Sequence, residues 1–133
     1  MSKIQSWVIK YAKMNKSING KTLLMILIDL NMEKEALHLL KYENINYNKI
    51  DSFGYSALFR SILKNMDELS LELLKKKNIN YNSKDYFGYT ILMYLILNNK
   101  KKLTLDLLKK KDIDYNSVNT DGDTALILSC KIK

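Results

Sequence analysis

DSFGYSALF, Asp51–Phe59, returns thirty-four residues later as DYFGYTILM, Asp85–Met93. In both copies Asp, Gly and a hydroxyl residue describe a tight turn feeding a helix. The glycine permits positive φ, and the Ser or Thr two residues on is suited to accept an orphan amide of the first helical turn. Each turn also carries large aromatics, Phe53 and Tyr55 in one, Tyr86, Phe87 and Tyr89 in the other. A turn holds such side chains toward water, so their presence twice at one place asks for a reason.

The repetition extends over most of the chain. Its four glycines are Gly20, Gly54, Gly88 and Gly122, each 34 residues from the next, and each is followed by a hydroxyl at Thr22, Ser56, Thr90 or Thr124 and by Leu24, Leu58, Leu92 or Leu126. A second block recurs as LHLLKYENINYN, LELLKKKNINYN and LDLLKKKDIDYN. A fixed period of this length means stacked supersecondary units. The pattern predicts short apolar first helices over about Thr22–Leu30, Ser56–Lys64, Thr90–Asn98 and Thr124–Lys131. Asn31, Asn65 and Asn99 stand where a left-handed residue ends a helix. Second helices carry Leu37/Leu40, Leu71/Leu74 and Leu105/Leu108 at i, i+3 spacing; Asn44, Asn78 and Asp112 close them, and an extended I-N-Y-N or I-D-Y-N segment leads to the next turn.

Tetratricopeptide units share the period but would hold the Gly within the first helix, whereas here it precedes the helix. The pattern resembles the ankyrin repeat: D-x-x-G-x-T-P-L-H, a short helix, a second helix ending in L-L, then G-A-D-V-N. Asp51, Gly54, Ser56 and Leu58 match that opening, as do Asp85, Gly88, Thr90 and Leu92. Leu39–Leu40, Leu73–Leu74 and Leu107–Leu108 match the second helix, and Asn48, Asn82 and Asn116 the terminal Asn. The family's Pro is replaced by Leu23, Ala57, Ile91 and Ala125, and its His by Met25, Phe59, Met93 and Ile127, which removes a polar anchor from the turn. The family unit has about 33 residues, and the additional residue here is expected between the paired helices. The resemblance implies an all-α ankyrin-repeat solenoid with projecting turn fingers: a capping helix over residues 1–16, repeats over 17–50, 51–84 and 85–118, and a truncated unit over 119–133.

Composition narrows the function classes. The chain has 133 residues, 47% hydrophobic, with a net charge of +8 and no proline. Arg60 is the only arginine, and the heavy use of Lys, Asn and Ile reads first as codon bias of an AT-rich genome. Cys130 is the only cysteine, so an intrachain disulfide is impossible and an intracellular, cytoplasmic setting is expected. The N-terminus lacks the pattern of a secretory signal. The longest apolar runs, Leu23–Ile28 and Ile91–Leu97, are too short to span a bilayer.

Catalytic chemistry has little foothold. His38, the only histidine, lies between leucines of a second helix with no nucleophile at a meaningful spacing. One Cys and one His do not make a structural zinc site. NTDGDT, around Asp121 and Asp123, lacks the rest of a calcium loop. The expectation is a non-enzymatic chain without cofactor or metal. Lysines cluster at Lys75–Lys77, Lys100–Lys102 and Lys109–Lys111. They read as solvated helix ends before they read as a phosphate-binding surface for nucleic acid or an anionic membrane.

In the family, turn fingers and first helices line a concave groove that binds partner proteins. Carried onto this chain, the fingers are Ile18, Asn19 and Lys21; Ile50, Ser52, Phe53 and Tyr55; Lys84, Tyr86, Phe87 and Tyr89; and Val118, Thr120, Asp121 and Asp123. The first helices add Asp29, Leu63, Lys64, Leu97 and Asn98. Aromatics thus gather on the two central fingers, as at interface hot spots; Phe53 and Phe87 could equally stack finger to finger. The resemblance implies a stand-alone binding module such as viruses and bacteria direct at host or competitor proteins. At the ends, Ile4, Trp7, Val8 and Tyr11 share one face of the N-terminal helix. The last helix is expected to bury Leu126 and Leu128, to leave Ile127 half exposed, and to leave the chain monomeric.

Overall fold

The computed structural model describes Ser6, Lys10, residues 19–42 and residues 45–132. The expected cap face of Ile4, Trp7, Val8 and Tyr11 lies outside these, as do Ile18 and Asn44. Seven helices follow in order: α1 (Leu23–Asp29), α2 (Glu33–Leu39), α3 (Ala57–Leu63), α4 (Asp67–Leu74), α5 (Ile91–Leu97), α6 (Lys101–Leu108) and α7 (Ala125–Lys131). The described chain is all-α, with an isolated antiparallel bridge between Lys84 and Thr90.

The hydroxyl residues start the first helices as their position dictates. Thr22, Ser56, Thr90 and Thr124 accept from the amides of Met25, Phe59, Met93 and Ile127 at 3.2–3.3 Å. Asn31, Asn65 and Asn99 follow the first three of these helices at φ 60°, 58° and 54°, and let the chain reverse within three residues into the second helix. That connection is equally short in every unit. The longer one is the turn after the second helix, Lys75–Asn78, where Asn78 takes φ 65°.

Two layers result. First helices pack in sequence, α1 on α3, α3 on α5 and α5 on α7, while α2 packs on α4 and α4 on α6. The core runs along the seam, with Leu24, Ile28, Leu58, Phe59, Leu69, Leu73, Ile91, Leu95 and Leu107 almost wholly buried. In the second helices the buried stripe is Leu69/Leu73 and Leu103/Leu107, at i, i+4. The expected i, i+3 set lies one step around the helix, toward the following unit. Leu40 and Leu74 are therefore buried, whereas Leu105 and Leu108, which no later unit covers, are exposed.

The last helix departs from expectation in the same way. Leu128 and Ala125 are buried and Ile127 is 42% exposed, but Leu126 is 74% exposed. Its counterparts Leu24, Leu58 and Leu92 are buried because the next first helix, or the paired second helix, lies over them. Among the described helices α7 packs on α5 alone.

Two side-chain ladders bind unit to unit. The Asn48 amide donates to the Asn78 carbonyl at 2.7 Å and accepts from the Asn80 amide at 2.8 Å. One unit on, Asn82 donates to the Asp112 carbonyl at 2.8 Å and accepts from the Asp114 amide at 3.0 Å. The second ladder is cationic. Lys76 donates to the Leu40 carbonyl at 2.7 Å and Lys110 to the Leu74 carbonyl, each at the C-terminal end of the preceding second helix. A cation there meets the negative end of the helix dipole.

A fingertip row in front of an aromatic wall

The two central fingers are each built around one buried carboxylate. Asp51 Oδ1 accepts from the amides of Phe53 and Tyr55 at 2.8 and 3.0 Å, and the Gly54 amide reaches the Asp51 carbonyl. Asp85 treats Phe87 and Tyr89 the same way, both at 2.9 Å. The other oxygen of each carboxylate is held from the first helix: Arg60 pairs with Asp51, and the Tyr94 hydroxyl donates to Asp85 at 2.6 Å. Arg60 and Tyr94 are 34 residues apart and do one job with different chemistry. Each of these first helices thus supplies one polar anchor to its own finger.

In the fourth finger Asn119 takes the place of the Asp, accepting from the amides of Asp121 and Asp123 at 3.0 and 2.9 Å. The residue facing it from α7 is Leu128, which offers no donor. An ionised carboxylate buried there would have lacked a partner, and a neutral amide stands in its place. The Asn119 Nδ2 is itself buried without a hydrogen-bond partner.

Arg60 also joins two units. Its Nη1 lies 2.5 and 2.7 Å from the two oxygens of Asp29, and Lys21 reaches the same carboxylate at 2.9 Å. Burial works against ionisation of Asp29, but hydrogen bonds from Lys21 and Arg60 and their charges outweigh it and hold the carboxyl below its usual range. Asp51 is likewise desolvated, and the amides of Tyr55 and Phe53 with Arg60 lower it in turn. Burial, then the Asp85 and Tyr55 contacts, push the Tyr94 phenol far above its ordinary range.

Behind the fingers the aromatic rings form a continuous wall. Phe53 and Tyr55 have centroids 6.5 Å apart, Tyr55 and Phe59 5.5 Å, Phe59 and Tyr94 5.2 Å edge to face, and Tyr94 and Tyr89 5.4 Å. Such offset and T-shaped pairs are the arrangements the ring quadrupoles favour. Tyr55 and Tyr89, expected as contact residues, are half-buried members of this wall. Phe53 is 60% exposed, Tyr86 73% and Phe87 61%. Fingers do join one another, but through backbone: the Tyr86 amide donates to the Phe53 carbonyl at 3.3 Å and the Thr120 amide to the Phe87 carbonyl at 2.9 Å. The rings of Phe53 and Phe87 are left facing outward.

The remaining expected residues fall into two sets. Asn19, Ser52, Lys84, Thr120 and Asp121 are exposed on the fingers, and Leu63, Lys64, Leu97 and Asn98 at the ends of α3 and α5. Ile50 and Val118 add exposed aliphatic surface. Lys21 is tied to Asp29. Asp123 is 8% exposed and paired with Lys131 at 2.7 Å, an ion pair that raises the lysine's pKa. Sequence reasoning missed Arg60, Tyr94 and Asn119. The available signal was the joint change at positions 34 apart, Asp51 with Arg60, Asp85 with Tyr94, Asn119 with Leu128.

Part of the lysine surface has a structural account. Lys76 and Lys110 cap helices, Lys100 pairs with Asp67 at 3.1 Å, and Lys75 pairs with Glu72 at 3.0 Å. No described helix is long and apolar enough to cross a membrane.

No protein-family model and no curated protein matches the sequence. Among solved structures the chain is similar to the ankyrin repeat domain of Bcl-3, described as a unique member of the IkappaB protein family, with a TM-score of 0.68 and 22% identity. The match covers 82% of this chain and 47% of that one, so the chain spans about half the length of its structural neighbour. Helix pairs in two layers, glycine-bearing fingers and this likeness together give the chain the fold of an ankyrin-repeat solenoid.

Proposed function

We propose that the chain is a non-enzymatic protein-binding module whose partner docks on the fingertip row of Phe53, Tyr86 and Phe87. The ankyrin fold is in general an interaction scaffold, which supports protein binding as the broad activity. The observation that carries the finer reading is the conflict between exposure and order at these rings. Three large aromatics stand 60–73% exposed on turns whose backbones are pinned by Asp51 and Asp85 and stitched to their neighbours. A rigid, preformed apolar row loses little conformational entropy when a partner covers it. Aromatic anchors dominate the energetics of such surfaces. Ile50 and Val118 extend the row, and Leu63 and Leu97 lie at the helix ends beside it.

In this reading the surface is the finger side of a concave groove. The unbound chain is a cytoplasmic monomer, and its activity is to sequester, block or adapt another protein, in the manner of a host-directed or inhibitory ankyrin protein. The test compares wild type with a Phe53→Ser, Tyr86→Ser, Phe87→Ser variant as bait in native lysate. The variant is expected to keep its helical circular dichroism and to lose a partner that wild type recovers. Equal recovery of that partner by both would remove the fingertip row from the interface.

A further inference from the structure

The first finger is a different turn from the others. Asn19 and Gly20 both lie in the left-handed region, at φ 53° and 78°, whereas in the other three fingers glycine alone does. Two successive left-handed residues make the turn that Asn-Gly fits best, because asparagine tolerates that conformation and glycine meets no penalty in it. Among the described residues this finger also lacks the ties of its neighbours. The Tyr86 amide donates to the Phe53 carbonyl and the Thr120 amide to the Phe87 carbonyl, but no such bond joins Ser52 to Asn19. A Cβ on Gly54 or Gly88 would strike the next finger at 2.9 Å, whereas one on Gly20 would meet nothing within 4 Å. Asn19 is exposed, and it is the only asparagine of the chain followed by glycine.

That pair carries a reaction of its own. The Gly20 backbone nitrogen, with no side chain beside it, attacks the side-chain carbonyl carbon of Asn19. The new C–N bond closes a five-membered imide, and the side-chain nitrogen leaves as ammonia, taking up the proton that the Gly20 nitrogen gives up. One water then opens the ring. Breaking the bond to the side-chain carbonyl leaves aspartate; breaking the bond to the main-chain carbonyl leaves isoaspartate, with one methylene more in the backbone. Overall an amide and a water become a carboxylate and ammonium, with no change of oxidation state. Closing the imide requires the backbone between Asn19 and Gly20 to rotate, which a stitched and crowded finger resists and an open one allows. We propose that Asn19 is a site of spontaneous deamidation with water as its only co-reactant, and that the openness of the first finger sets its rate above that of the other asparagines. Asn48, Asn82 and Asn119, by contrast, hold their side chains in hydrogen bonds. The new charge falls two residues before Lys21, whose ammonium pairs with Asp29 at 2.9 Å. The change therefore takes place beside the cluster that joins the first unit to the second. The fingertip row takes no part in it.

To test this, the folded full chain is held in water labelled with heavy oxygen, at neutral and at mildly alkaline pH. Trypsin in ordinary water then releases Ser17–Lys21 for mass spectrometry, so the label marks conversion that preceded digestion. The expected result is one heavy oxygen in that peptide, in aspartate and isoaspartate forms together. It should appear at least tenfold faster than at Asn82 or Asn116, which precede serine, and faster at the higher pH. An Asn19→Gln chain should show no label there. In a Phe87→Asn chain, which sets the same dipeptide in a finger stitched on both sides, position 87 should convert at least tenfold more slowly than Asn19. Asn19 and Phe87 are exposed, so both variants should fold, which circular dichroism verifies throughout the incubation. No label in Ser17–Lys21, or a rate at Asn19 less than tenfold above that of Asn82 and Asn116, overturns the proposal. So does conversion at position 87 within tenfold of Asn19, because the openness of the first finger would then count for nothing.

Discussion

Gly54 and Gly88 differ from Gly122 in one respect that can be isolated. All three have φ between 77° and 84°. A Cβ on Gly54 would stand 2.9 Å from the Lys84 carbonyl oxygen, and one on Gly88 2.9 Å from the Asn119 Cα, whereas one on Gly122 would meet nothing within 4 Å. Gly122→Ala should therefore cost only the left-handed strain, about 1–2 kcal/mol. Gly88→Ala should cost a further ~1–3 kcal/mol, because two fingers must move apart. Urea denaturation of the pair measures the difference. The carboxylate anchors allow a second comparison. Tyr94→Phe leaves Asp85 buried without its hydroxyl and should destabilise by about 1–3 kcal/mol. Adding Asp85→Asn should recover much of that loss, since Asn119 opposite Leu128 is the same arrangement already present in the fourth finger. No recovery in the double variant would mean that the unmatched Asp85 carboxylate is not the source of the loss. These anchors were hard to see in the sequence. Arg60 and Tyr94 lie inside apolar helical runs, and nothing local says that they turn back toward a finger nine residues earlier.

At the scale of the element, what was legible was what is decided locally. Thr22, Ser56, Thr90 and Thr124 cap helices because cap chemistry involves only the next three residues. Asn31, Asn65 and Asn99 reverse the chain for an equally local reason. Burial is not local: Leu92 and Leu126 stand at the same place in their units, two residues after the capping Thr, and only the first has a further helix over it. Leu105 and Leu108 differ from Leu71 and Leu74 for the same cause, and the partner of Asp123, Lys131, is a full helix away. The difference predicts opposite mutational responses. Leu92→Ala should cost about 2–5 kcal/mol as a core cavity. Leu126→Ala should stay within roughly 0.5 kcal/mol. Thermal denaturation checks both. Helix α7, packed on α5 alone, should also exchange its amide hydrogens before α3 to α6 do.

Over the whole molecule, the Lys21–Asp29–Arg60–Asp51 cluster ties the first unit to the second, and this coupling depends on pH. Asp29 and Asp51 have pKa values lowered in the folded chain, against about 3.9 when unfolded. Above that value both states are ionised and the full stabilisation is present. As the pH falls through it, the unfolded chain takes up protons first, and the stabilisation is lost down to the folded values. The urea midpoint should thus hold steady from neutral pH to about pH 5 and drop toward about pH 3. An Asp29→Asn, Asp51→Asn variant should be less stable at neutral pH and show a shallower fall. An equally steep fall in that variant would place the acid sensitivity in other carboxylates.

The asparagine and lysine ladders have a consequence for how such a chain can change length. Because Asn82 meets Asp112 as Asn48 meets Asn78, and Lys110 meets Leu74 as Lys76 meets Leu40, each middle unit offers on one side what it accepts on the other. A duplicated copy of residues 51–84, inserted in frame after Lys84, would find a capping lysine, a clasping amide and a leucine seam already cut to fit on both flanks. Growth by copying therefore keeps both ladders and the seam, and the one tie it does not repeat is that of Arg60 to Asp29, since the copied arginine would face Leu63. A single crossover between the near-identical second-helix blocks is enough to lengthen or shorten the stack by one whole unit.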